Sequence, residues 1–233
     1  MRIVTLALAL FCASQLQLAP APDGVNPPEQ PANPASLMQG KLKTDRTIFL
    51  EAIVAAPPST VFELWTSKDG IKKFFAPDAR IDASVGGRYQ VIFAPARDPE
   101  GDSHGTKGAR ILKLVPNKEL AFEWITFAGD ELLGKDAPPY APPAERNVNP
   151  LPTWVELTFE NIAGQPNKTH LRFAHYGFRE GEKWDRSFQW FTHAWKGVLN
   201  QLAGYCEDQK SATMKDKVSS SRTTIVSPAT PEV

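Results

Sequence analysis

Cysteine is scarce here: of 233 residues only Cys12 and Cys206 are cysteines, so no disulfide framework can hold a fold that must instead rest on packing. Neither sign of charge dominates, with 26 basic against 26 acidic residues. Lys and Arg are scattered and never build the basic run that phosphate neutralisation requires, which argues against a nucleic-acid partner. Long apolar runs are missing after the first dozen residues, so no later segment reads as a membrane span. The four histidines are too dispersed for a metal centre. His170 and His175 fall on one expected strand at odd spacing and point to opposite faces, His104 falls in a loop, and His193 sits off the apolar side of a helix. No Gly-Lys-Ser/Thr phosphate loop, nucleophile elbow or HExxH pattern occurs. Neither a metal nor a cofactor is expected.

The two ends of the chain read as unlike its middle. A positive start at Arg2, an apolar stretch from Ile3 to Ala13 and small residues beyond it have the layout of a secretory signal peptide, taken as residues 1–19. The alternatives are a frayed terminus or a short anchor. Phe11 precedes Cys12, which removes the lipoprotein context, so export to the periplasm or exterior without a stable membrane anchor is expected. Residues 20–43 form a Pro-rich linker, with few apolar side chains to offset the entropy of ordering it. Residues 210–233, rich in Ser, Thr and Lys without a period, read as a disordered tail. The folded domain is then residues 44–209.

Within that domain the strongest periodic signal is Glu182 to Asp208. Trp184, Phe188, Phe191, Trp195, Val198, Leu199 and Leu202 recur at three- and four-residue steps, one apolar stripe on a helix. Gly181 precedes it, and Glu182 and Asp185 complement the positive end of its dipole. Cys206 falls on the apolar side, as a buried thiol would. Upstream, Thr47 to Val54 reads as a strand. Ala56-Pro57-Pro58 then opens a helix containing a candidate capping box, Thr60-x-x-Glu63, and ended by Gly70; a short turn, Ile71 to Phe75, follows. Three hairpins come next: 79–83 with 88–93, 107–114 with 120–127, and 154–160 with 169–176. Between the second and third lies a long loop, 129–152, with six prolines, a length at which loops serve as lids or binding segments or stay disordered.

Strand alternation sorts the side chains. Tyr89, Val91 and Phe93 share a face; Phe122 and Trp124 oppose Glu123; Val155, Leu157 and Phe159 oppose Glu156; Leu171, Phe173 and His175 oppose His170 and Arg172. The expected architecture is α+β in the order β-α-α-β(6)-α: a curved antiparallel sheet of about six to seven strands wrapped on a long C-terminal helix. Tyr89, Phe93, Phe122, Trp124, Phe173, His175, Phe188, Phe191 and Trp195 would face one another between sheet and helix. Such a set fits a solid core or a ligand pocket equally well. His175 is the one polar group on the concave face and the only catalytic candidate; a strand-end histidine bonded to the backbone is the simpler reading.

Several motifs then carry a resemblance. Val61-Phe62-x-Leu64-Trp65-Thr66, Phe74-Phe75-Ala76-Pro77, Val85-Gly86-Gly87-Arg88-Tyr89, Leu120-x-Phe122-x-Trp124 and Thr169-His170-Leu171-x-Phe173-x-His175-x-Gly177-Phe178 stand in the order of a helix-grip family. Residues 47–207 resemble the homologues of the activator of the heat-shock-protein ATPase. These lie within the START-like, birch-pollen-allergen-like (SRPBCC) superfamily, which also holds polyketide cyclases. The resemblance implies a hydrophobic cavity between helix and sheet, and no single reaction. Three functions follow as expectations: an exported binder of a small hydrophobic or amphipathic molecule; an enzyme of the cyclase, dehydratase or hydrolase kind with His175 as acid/base; and a chaperone-related or protein-interaction module.

Overall fold

The computed structural model describes residues 46–102, 104–125 and 153–222. The expected signal peptide, the Pro-rich linker and the loop 129–152 lie outside the described residues. Strand β1, Ile48–Val54, leads into helix α1, Pro58–Thr66, and helix α2, Lys68–Phe74. Strands β2, Asp78–Ile81; β3, Tyr89–Ile92; β4, Ile111–Val115; β5, Glu119–Trp124; β6, Thr153–Ile162; and β7, Gln165–Tyr176, come next. Helix α3, Glu182–Arg222, closes the order.

This is the expected α+β helix-grip order, and the seven strands among the described residues divide into five and two. Five are hydrogen-bonded in the order β1-β7-β6-β5-β4, all antiparallel, and β2 pairs with β3. The regular ladder stops between β3 and β4 because a side chain takes the place of backbone there. Thr106 Oγ1 donates to the Tyr89 carbonyl at 3.0 Å and accepts from Val91 N at 2.9 Å. Isolated bridges, Arg88 with Arg110 and Ile92 with Gly105, carry the pairing across the gap.

The register fixes the core. One row across five strands reads Ile48, His175, Val155, Phe122 and Ile111, and the next reads Leu50, Phe173, Leu157, Leu120 and Leu114. His175 is the sole polar side chain in either row. Helix α3 presents Phe191, Trp195, Leu199, Leu202 and Cys206, all buried, at steps of three and four. Burial pushes the Cys206 thiol up to about 11, so it packs as a small hydrophobe. Gly181 adopts a φ of +113°, a region open to glycine, and its carbonyl accepts from Asp185 N at 2.9 Å as the helix starts.

Three expectations are corrected. The box Thr60-x-x-Glu63 does not cap α1, whose N-cap is Pro57 with no side-chain bond, because the prolines start the helix earlier. Gly70 does not end α1 but lies inside α2; Ser67 separates the two helices, its Oγ accepting from Gly70 N at 3.0 Å. The tail expected to be disordered from Lys210 is helical to Arg222, while residues 223–233 lie outside the described residues. Extending an existing helix costs far less than nucleating one, so Ala212, Met214 and their neighbours continue it without an apolar period.

The convex face also departs from simple alternation. Glu123, expected on a polar outer face, is fully buried. A second apolar cluster of Leu112, Ala121 and Trp154, packed with Val85 and Tyr176, covers that end of the sheet. The Glu123 carboxylate accepts from Arg110 N at 3.2 Å.

Candidate functional site

Between α3 and the end of β5, the aromatic layer leaves a cavity of about 200 Å³. Helix α3 supplies Trp190, Phe191, Ala194, Trp195 and Val198, neighbours on one side of the helix at steps of one turn. Trp124 and Ile125 come from the end of β5, Phe93 from just past β3, and Phe75 from the C-cap of α2. None of these side chains carries a charge. Phe75 lies nearly parallel to Trp124, with centroids 5.8 Å apart, and meets Trp195 at 5.6 Å. Trp124 and Trp195 approach to 4.8 Å. Trp190 stands at the rim, 38% exposed, edge-on to Phe191 at 4.9 Å.

Four of the residues expected to meet a ligand, Phe93, Trp124, Phe191 and Trp195, line this cavity. Tyr89, Phe122 and Phe173 do not; they fill the core. Tyr89 stacks on Phe122 at 3.9 Å and donates its hydroxyl to the Trp65 carbonyl at 3.0 Å, and its burial pushes the phenol well above its ordinary pKa. Phe173 packs against Trp195 at 4.7 Å. Phe188 sits further towards the N-terminus of α3, half-buried, with Phe178 at 5.2 Å and the Arg46 guanidinium over its ring at 5.3 Å.

His175 stands behind the wall. Its Nδ1 accepts from Trp195 Nε1 at 3.0 Å, which leaves the proton of the neutral ring on Nε2, a buried atom without a partner among the described residues. Phe178 and Phe191 approach the ring edge-on at 4.6 and 5.2 Å. Desolvation in this apolar shell lowers its pKa to about 3. The imidazole is therefore neutral at physiological pH, and it holds the indole of Trp195 in place.

Sequence reasoning missed Phe75, Ile125, Trp190, Ala194 and Val198 as lining residues. Val198 was on the apolar stripe, and the two aromatics at 74–75 were visible, but only the α2 C-cap directs Phe75 inward. A larger groove of about 550 Å³ runs between α1, α2 and the C-terminal half of α3. Glu63, Asp69, Lys73 and Lys210 mingle there with apolar residues, so water solvates it well; the uncharged aromatic cavity is the better candidate despite its smaller size. Among the described residues no group of His, Cys, Asp and Glu could hold a metal ion. His170 lies on the convex face, 3.5 Å from Glu51 and 3.4 Å from Glu160. No described helix is long and apolar enough to cross a membrane.

Solved structures resemble this chain at low identity. Protein NE0264 from Nitrosomonas europaea is 18% identical over 72% of this chain and 99% of its own, with a TM-score of 0.50. Protein MLL2253 from Mesorhizobium loti is 19% identical over 70% of this chain and 97% of its own, with a TM-score of 0.48. PFC0360w, an HSP90 activator from Plasmodium falciparum, is 13% identical over 66% of this chain and 89% of its own, at 0.45. No curated protein gives a significant match. The family model described as Activator of Hsp90 ATPase homolog 1-like protein matches residues 55–207, more than half of the chain and every element from α1 to the buried stripe of α3, and the chain belongs to that family.

Proposed function

We propose that this domain binds a small hydrophobic or amphipathic molecule in the aromatic cavity, as part of a protein exported to the periplasm or exterior. The observation that carries the reading is the uncharged cavity between Trp124 and Trp195, with Trp190 partly in solvent beside it. Apolar walls draw an apolar solute out of water, and a rim open to solvent leaves room for its polar end. Export rests on the charged and apolar order of residues 2–13.

Native mass spectrometry of the chain purified without detergent tests this. A discrete adduct that disappears on denaturation is expected. Ala194→Trp would fill the cavity from a half-buried position, so the adduct should vanish while the thermal midpoint shifts only slightly. An adduct that survives the substitution would place the ligand elsewhere.

The family's name carries a second reading, an Hsp90-activator-like module. Stimulation of Hsp90 ATPase by the purified domain, undiminished in Ala194→Trp, would favour that reading over cavity binding.

A further inference from the structure

The convex face of the sheet carries a knob beside a hollow. Strand β1 turns Phe49, Glu51 and Ile53 outward, and Phe49 and Ile53 are 69% and 56% exposed. A single exposed apolar residue is ordinary, but two on one strand face, four positions apart, make a patch. Next to Phe49 the face dips, because its register partner on β7 is Ala174, which offers only a methyl group. An open hollow of about 520 Å³ lies there, edged by Phe49, Tyr176, Glu51 and Arg172. Tyr176 and Arg172 flank Ala174 on the same face of β7, so a ring entering the hollow meets an aromatic on one side and a guanidinium on the other.

The register makes this surface its own complement. β1 and β7 pair Phe49 with Ala174, Glu51 with Arg172 and Ile53 with His170. A two-fold axis running along the strands, midway between β1 and β7, lays the β1 of each copy over the β7 of the other. Knob then meets hollow, carboxylate meets guanidinium and Ile53 covers a histidine, all through one operation. Sheets packed face to face stand about 10 Å apart, a gap that a phenyl ring over an alanine fills. A foreign partner would have to supply the alternation of apolar, charged and apolar groups independently; a second copy brings it by symmetry.

We infer that the convex face at β1 and β7 is an isologous dimer interface, with Phe49 of each copy seated over the partner's Ala174 and Glu51 facing the partner's Arg172. Within one copy Arg172 already meets Glu51 at 3.3 Å and Glu160 at 3.2 Å, so the pairing extends an existing network of opposite charges rather than burying a lone one. The aromatic cavity lies on the opposite, helix-covered side of the sheet, and the two surfaces share no residue. Dimer and ligand readings therefore stand or fall separately.

Sedimentation equilibrium of the full chain should show a reversible dimer. Phe49→Thr keeps a β-branched residue on the strand and should weaken association at least about tenfold, as loss of an aromatic anchor does, with the thermal midpoint little changed. Charge reversal gives the sharper test. Glu51→Arg sets a guanidinium against the partner's Arg172, and Arg172→Glu sets two carboxylates together; each alone should weaken association at least about tenfold. Mixed in equal amounts, the two variants regain both contacts of opposite charge and should form a heterodimer close to wild type in affinity. Damage to the fold could not be repaired by mixing, so this rescue reports the interface alone. A chain that stays monomeric at sub-millimolar concentration would overturn the inference, as would a dimer indifferent to Phe49→Thr or a charge-reversed pair that fails to associate on mixing.

Discussion

The aromatic layer between sheet and helix has two ends built from the same kinds of side chain, and only one of them is hollow. At the closed end Trp65, Tyr89 and Phe122 stack close to parallel, with Tyr89 and Phe122 at 3.9 Å, and the tyrosine hydroxyl reaches a backbone carbonyl. At the open end Phe75, Trp124 and Trp195 meet at 4.8–5.8 Å around unfilled space. Composition does not distinguish them; geometry does. Rows of a sheet set Phe122 in register with its neighbours, whereas the open end gathers a helix cap, a strand end and a second helix that no ladder aligns.

Substitutions should separate the ends, beginning with the largest effect. Phe122→Ala opens a hole where packing is complete, so unfolding in urea should show a loss of about 3–5 kcal/mol. A loss below about 1 kcal/mol would show that the closed end is not closed.

Acid comes next. His175 has its pKa lowered by burial, so the unfolded chain binds the extra proton as pH falls. The resulting destabilisation is nil above about pH 6.5, grows by about 1.4 kcal/mol per pH unit below it, and levels off once pH passes below about 3. At pH 5 it amounts to about 2 kcal/mol. NMR of the His175 ring should report a neutral imidazole at that pH in the folded protein; a charged one would refute the dry shell.

Smaller again is Trp195→Phe, which keeps a ring on the cavity wall but removes the donor that His175 Nδ1 accepts from. Its expected cost is about 1–3 kcal/mol. That cost should disappear when His175→Leu is present as well, since the orphaned group is then gone. A cost of similar size in both backgrounds would mean that packing, not the bond from indole to imidazole, is what Trp195 contributes.

Much of this was legible because it is periodic. Phe191, Trp195, Leu199 and Leu202 announce a buried stripe, and alternation along β6 and β7 puts Val155, Leu157, Phe173 and His175 inward. Period failed where covering layers or caps decide. Glu123 alternates as an outer residue but is buried at the end of the sheet that Trp154 and its cluster cover. Trp190 and Ala194 belong to the flank of the α3 stripe, which period alone assigns to solvent. The tail from Lys210 shows no amphipathic pattern, yet it inherits helix from the turns before it. Whether aromatics enclose space depends on sub-ångström fit between elements, and pattern carries no information at that scale.

Gly70 gives the cavity an unexpected dependence. A Cβ there would stand 2.5 Å from the Leu64 Cα and carbonyl oxygen, so α2 lies against α1 only because a methyl group is missing. Phe75 caps α2, and with it one wall of the cavity is hung from that contact. The shape offered to a ligand is thus governed by a residue that touches no ligand and has no side chain to lose, and any addition at position 70 would be felt first at Phe75.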